Sequence, residues 1–183
     1  MDKLIKRALR RDADAFTELM QAQMQSMYKT ARAMLRDDED AADAISETIL
    51  MCWEKMEQLK RPEFFKTWMI RILINECHDI LRQRKRVYPV EEIEEMPESD
   101  DAYTNVEWLE TMRGLDEKYR LVLILYYVNG LSTTQIGSLL HIPVSTVRTR
   151  LARGRDQMAQ LYGVKSSLGN SIANRQERVD FQK

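Results

Sequence analysis

Four arginines, Arg148, Arg150, Arg153 and Arg155, share one segment with three small hydroxyl residues, Ser145, Thr146 and Thr149, and no acid lies between His141 and Arg155. Short side chains at the head of a helix allow close approach to a groove, the free amides there attract phosphate, and a guanidinium fork matches the two acceptors on a guanine edge. Val144, Val147 and Leu151, spaced by three and four, predict the inward stripe of that helix, which turns Arg148, Thr149 and Ala152 outward. This is chemistry for a nucleic-acid duplex. A second basic group, Arg82, Arg84, Lys85 and Arg86, closes another predicted helix and is suited to neutralising phosphates. Upstream of it Lys60, Arg61 and Lys66 interleave with Phe64, Phe65 and Trp68, the mixture of charge and ring faces that holds single strands. The third constellation has the opposite sign. Asp40, Asp43 and Glu47 share one side of a helix with Leu50 as an apolar neighbour, and carboxylates repel phosphate, so this face suits a basic protein surface.

Catalysis finds no support in the same inventory. There is no glycine-rich phosphate loop, no His-Glu-x-x-His and no nucleophile elbow. His78 and His141 are isolated, and Cys52 and Cys77, 25 positions apart, match no metal or redox spacing. No catalytic residue, metal or cofactor is assigned.

The elements that position these groups are helical throughout. The 183 residues carry 28 Lys and Arg against 29 Asp and Glu, but the charge is sorted: 17 basic and 15 acidic in residues 1–87, none and nine in 88–110, 11 and five in 111–183. Two near-neutral to basic bodies therefore flank an acidic bridge. All six glycines fall after position 113, so the first part reads as long helices broken near Pro62, Pro89 and Pro97. Apolar spacing of three and four predicts helices over 14–35, 38–56 and 65–86. The third of these leaves Arg71, Asn75, His78, Arg82 and Lys85 beside its buried stripe. Residues 87–101 hold seven acids, two prolines and no base, the composition of a linker.

Beyond the linker, Thr104 with Glu107 has capping-box spacing. A helix over 116–128 stops at Asn129-Gly130, Ser132 with Gln135 opens a short helix, and a turn at His141-Ile142 leads through Pro143 into the arginine-bearing helix. Only residues 121–128 of the long uncharged run are continuously apolar, which suits a buried helix and is too short for a membrane span. The expected fold is all-α. Its expected divisions are a helical domain at 1–87, an acidic linker at 88–103, a helix-turn-helix domain at 104–162 and a polar tail at 163–183. Charge through the first turns argues against a signal peptide and for a cytoplasmic protein.

In this order, three blocks resemble the extracytoplasmic-function (ECF) sigma factors of bacterial RNA polymerase. Residues 39–48 (EDAADAISET) with Trp53 are similar to the family's polymerase-binding helix. Residues 65–72 (FKTWMIRI) with Asn75, Asp79, Arg82 and Arg86 are similar to its promoter-melting helix, and residues 131–136 (LSTTQI) through 146–155 (TVRTRLARGR) to its helix-turn-helix. Ser46 stands where the family usually has Gln, Gly137 where it has Ala, and His141 where it has Gly. Gly137 is expected to cost roughly 1 kcal/mol of helix stability against Ala.

The resemblance implies that Asp40, Asp43 and Glu47 bind the coiled coil of the polymerase's largest subunit. It implies that the loop at 58–63, with Lys60 and Arg61, holds an extruded base of the minus-ten element while Asn75 and Arg82 lie near the strand. It further implies that Arg148, Thr149 and Arg153 read the minus-thirty-five duplex, with Ser145, Thr146 and Arg150 as further DNA-binding candidates on the same helix. Core RNA polymerase, promoter DNA and an anti-sigma factor are the implied partners. The alternatives are a polymerase-independent helix-turn-helix regulator and a helical adaptor whose basic clusters are merely solvated.

Overall fold

The computed structural model describes residues 1–35, 37–87, 112 and 114–161, all helix, turn and short connections. The expected linker at 88–103, the expected capping box at Thr104 and the tail at 163–183 lie outside the described residues. The first half contains α1 (Asp2–Ala8), α2 (Ala13–Met34), α3 (Asp38–Glu54) and α4 (Phe65–Val87). The second contains α5 (Glu117–Leu123), a π-helical turn (Ile124–Val128), α6 (Thr133–Leu140) and α7 (Val144–Leu161).

The starts of α2, α3 and α6 are fixed by side-chain caps. Asp12 accepts from the Ala15 amide at 3.0 Å and Asp37 from the Glu39 amide at 2.7 Å, satisfying donors that have no partner within the helix. Ser132 and Gln135 form the reciprocal capping box, at 3.2 and 2.8 Å. Helix α1 was not anticipated from the sequence. It buries only Ile5 and Ala8, too few positions to show a period, and is followed by Arg11, whose guanidinium donates to the Trp53 carbonyl at 2.6 Å.

The apolar run reads as it does because it is buried from two sides. Leu121, Val122, Leu123, Ile124 and Leu125 are all under 10% exposed, and a helix that is hydrophobic all round belongs in a core. On one side α5 packs against α7, where a Cβ on Gly154 would stand 2.9 Å from Leu123 Cδ1 and 3.3 Å from Tyr119 Cβ. On the other, α5 and the π turn meet α2 of the first half. There the Asn129 amide donates to Thr30 Oγ1 at 2.9 Å, both residues being buried, and Arg120 Nε donates to the Ala33 carbonyl at 2.8 Å. Thr30 passes its own proton to the Ser26 carbonyl. The two halves thus share one packed core, and at their seam the Asn129 amide nitrogen is paired while its side-chain oxygen is buried without a partner.

The turn between α6 and α7 brings Gly137 and His141 into one backbone arrangement. His141 takes the left-handed conformation, φ 54°, that glycine usually supplies, and closes α6 with its amide on the Gly137 carbonyl. Ile142 donates to the same carbonyl at 3.0 Å, and a Cβ at Gly137 would lie 2.9 Å from the Ile142 carbonyl oxygen. Glycine at 137 admits that backbone approach. Gly137→Ala is therefore expected to lose about 1–2 kcal/mol despite its better helix propensity, because a backbone contact must shift. Thermal unfolding measures it; an Ala variant more stable than the parent contradicts the packing.

Candidate functional site

On α7 the packing fixes the register. Val147 and Leu151 are 0% and 4% exposed and Gly154 is buried, so Ser145, Arg148, Thr149, Ala152 and Arg153 stand in solvent while Thr146 and Arg150 are half-buried. Thr149 donates to the Ser145 carbonyl at 3.0 Å, which leaves its oxygen free to accept. Six arginines of the first half are neutralised internally, although Arg10 and Arg71, like those of α7, meet no carboxylate among the described residues. Arg7, Arg11, Arg32, Arg61, Arg82 and Arg84 each pair with a carboxylate. Arg148, Arg150 and Arg153 have no carboxylate partner among the described residues. A face of guanidinium groups without carboxylate partners suits an anion.

The second basic region is built on α4 and the turn before it. Asn75, His78 and Arg82 are exposed along one side of α4, with Arg82 paired to Asp79 one turn earlier. Lys60 is exposed. Arg61 is held by Glu63 at 2.6 Å and lies 4.6 Å over the Phe64 ring, itself 42% exposed. The aromatic group splits: Phe65 is a core residue, Trp68 is half-buried with its ring 6.1 Å from Phe65, and Phe64 alone is open to solvent. Burial lowers the pKa of Lys66. The backbone of Lys85 and Arg86 continues α4, and their side chains lie outside the described residues.

The acidic surface lies on α3. Asp43, Glu47 and Leu50, at spacings of four and three, are all exposed, and Leu50 keeps 57% of its surface in water. Asp40 is set apart from them. Its carboxylate, 17% exposed, is clasped by Arg84 of α4 at 2.7 Å, and the same guanidinium reaches Asp37 at 3.4 Å. Arg84 therefore joins the acidic helix to the basic one, a role no local spacing announces because its partners stand 44 and 47 positions away.

Cys52 and Cys77 are free and buried, and burial pushes both thiols up to about 12.

The Asp37 carboxyl is held below its ordinary range, first by the Glu39 amide and then by Arg84. A depressed carboxylate contributes stability that is present above its unfolded pKa and lost as pH falls through the folded value. Arg84→Gln should shrink the loss of thermal stability between roughly pH 5 and pH 2. Melting curves across that window test this; a parent-like acid slope in the variant contradicts it.

Comparison with known proteins gives concordant results. A family model described as Sigma-70 region 2 matches residues 19–87, and one described as Sigma-70, region 4 matches residues 105–158. The ECF RNA polymerase sigma factor SigW of Bacillus subtilis (strain 168) is 29% identical over 174 residues, covering 85% of this chain and 93% of SigW. RNA polymerase sigma factor SigV of the same organism is 30% identical over 132 residues, covering 70% and 80%. Among solved structures, CnrH in complex with the cytosolic domain of CnrY has TM-score 0.63 and 21% identity, covering 90% of this chain and 98% of CnrH. RpoE in complex with the anti-sigma factor NepR from Bartonella quintana also has TM-score 0.63, at 19% identity, covering 81% and 98%. These two structures share the fold.

Proposed function

Starting from a chain that belongs to the ECF sigma factors of bacterial RNA polymerase, we propose how its surfaces divide the work of directing that enzyme to promoters. The chain is an alternative sigma factor, which binds core polymerase and selects the start site. It acts by binding, in the cytoplasm, and carries out no reaction of its own. Asp43, Glu47 and Leu50 form the outer contact with polymerase, and Asp40 holds that helix to α4 through Arg84. The outward face of α7 reads the minus-thirty-five duplex through Ser145, Thr146, Arg148, Thr149, Arg150 and Arg153. Lys60, Arg61, Asn75, Arg82, Lys85 and Arg86 engage the minus-ten element, with Phe64 offering a ring to an unstacked base.

The observation that carries this reading is the separation of sign. Unneutralised arginines crowd α7, while the exposed carboxylates of α3 sit beside an exposed leucine where DNA has no use for them. A regulator that needs only DNA has no task for the second surface.

The packed arrangement adds a step. The two elements are centred about 25 base pairs apart, which at ~3.4 Å per pair is roughly 85 Å. A packed body of this length is only about 40 Å across. Engaging both elements at once therefore requires the halves to part, breaking the hydrogen bonds of Asn129 to Thr30 and of Arg120 to the Ala33 carbonyl. The 24 residues from 88 to 111 can reach at most about 80 Å, comparable to the span. An anti-sigma factor, the partner that holds RpoE in its complex with NepR, is the natural inhibitor of this chain as well.

Leu50→Asp and Glu47→Lys place a charge or the wrong sign on exposed positions. Each should weaken binding to core polymerase at least tenfold with no change in melting temperature. Equilibrium titration of labelled chain with core enzyme measures this; parent-like affinity in both variants removes α3 as the polymerase contact.

A further inference from the structure

Beside the outward face of α7 lies an open cleft of about 320 Å³ whose other wall is the first turn of α5. Three cations line it, Lys118, Arg150 and Arg153, together with the hydroxyl residues Ser145, Thr146 and Thr149. No carboxylate is among its lining residues. Its floor is Tyr119, 7% exposed, whose phenol is held below its usual range chiefly by a hydrogen bond from the Arg153 guanidinium. Lys118 lies 4.9 Å from the Tyr119 ring centroid and 3.6 Å from an Asp116 carboxylate, an ion pair with both side chains 54% exposed. An exposed pair of that kind is worth little and exchanges readily for a stronger anion.

Three cations with the Ser145 and Thr146 hydroxyls beside them, and only the exposed Asp116 competing for Lys118 from outside the lining, make a seat for a tetrahedral, multiply accepting anion. Its place settles which one. The cleft opens along the flank of the helix that enters the groove, and what runs beside a groove is the sugar-phosphate backbone. Resting on the reading of α7 as a duplex-binding helix, we propose that Lys118, with Arg150 and Arg153, clamps a backbone phosphate at the edge of the minus-thirty-five site. Arg148 is left as the base-reading arginine. The clamp sets affinity and register, and base preference lies elsewhere on α7. Lys118 is a DNA contact contributed by a helix outside the helix-turn-helix. Its neighbours Asp116 and Glu117 make it look, in sequence, like part of an ordinary mixed-charge first turn.

The test uses the full chain loaded on core polymerase and promoter duplexes taken from its own mapped start sites. Binding is titrated against salt for the parent, Lys118→Gln, Lys118→Arg and Arg148→Ala. Lys118→Gln is expected to weaken binding by a similar factor on every duplex and to lower the slope of log affinity against log salt by about 0.9, the loss of one phosphate contact. Lys118→Arg should restore the slope. Arg148→Ala should instead change which base pairs are preferred. A parent-like slope and affinity for Lys118→Gln, with Arg148→Ala impaired, overturns the clamp and spares the reading of α7. If both variants match the parent, the reading of α7 falls with it. If inorganic phosphate at fixed ionic strength abolishes the difference between parent and Lys118→Gln, the seat belongs to free phosphate and the proposal is wrong about its occupant.

Discussion

The close seam between α5 and α7 governs what the second half presents to its surroundings. Gly154 lets α7 approach Leu123 and Tyr119 to distances that any side chain would block. Val147 and Leu151 lie on the same inward stripe and leave no room for rotation. A turn of α7 by one residue, 100° of helix, would bury Arg148 in place of Val147 and turn Val147 outward, at a cost set by both a desolvated charge and a lost core contact. The guanidinium array is therefore a consequence of apolar packing on the opposite side. Its lack of carboxylate partners completes the effect, since an internally neutralised arginine has little left to offer a phosphate.

The first half solves a different problem, keeping an acidic face and a basic face on adjacent helices of one small body. Helices α3 and α4 make the most extensive helix pair among the described residues, and the Arg84 clasp of Asp37 and Asp40 ties one face to the other. The carboxylates nearest the basic helix are thereby paired, while Asp43 and Glu47 remain exposed beside Leu50. Attraction within the body and repulsion toward DNA thus use different members of a single acidic run.

Periodicity carried most of the architecture. Helices α2, α3, α4, α6 and α7 fall within a few residues of the spans expected from their apolar spacing, and the Ser132 and Gln135 capping box was visible as spacing before it was visible as hydrogen bonds. What escaped depends on contacts distant in the chain. Helix α1 is too short to have a readable period. Asn129, which reads as a turn residue, is a buried partner of Thr30 across 99 positions. Gly137 reads as a weakness in a helix until the Ile142 carbonyl is seen against it. The outward face of α7 was readable because one helix holds the whole pattern. The roles of Arg84 and Lys118 were not, because each is defined by a neighbouring helix.

The central claim is that this chain gives core polymerase its choice of start site. The most direct measurement is sequencing the 5′ ends of transcripts made on genomic DNA by purified core polymerase with and without the chain. The account predicts starts that need both components and share two upstream motifs at a constant separation. A transcript pattern unchanged by the chain, together with tight duplex binding by the chain alone, would contradict it.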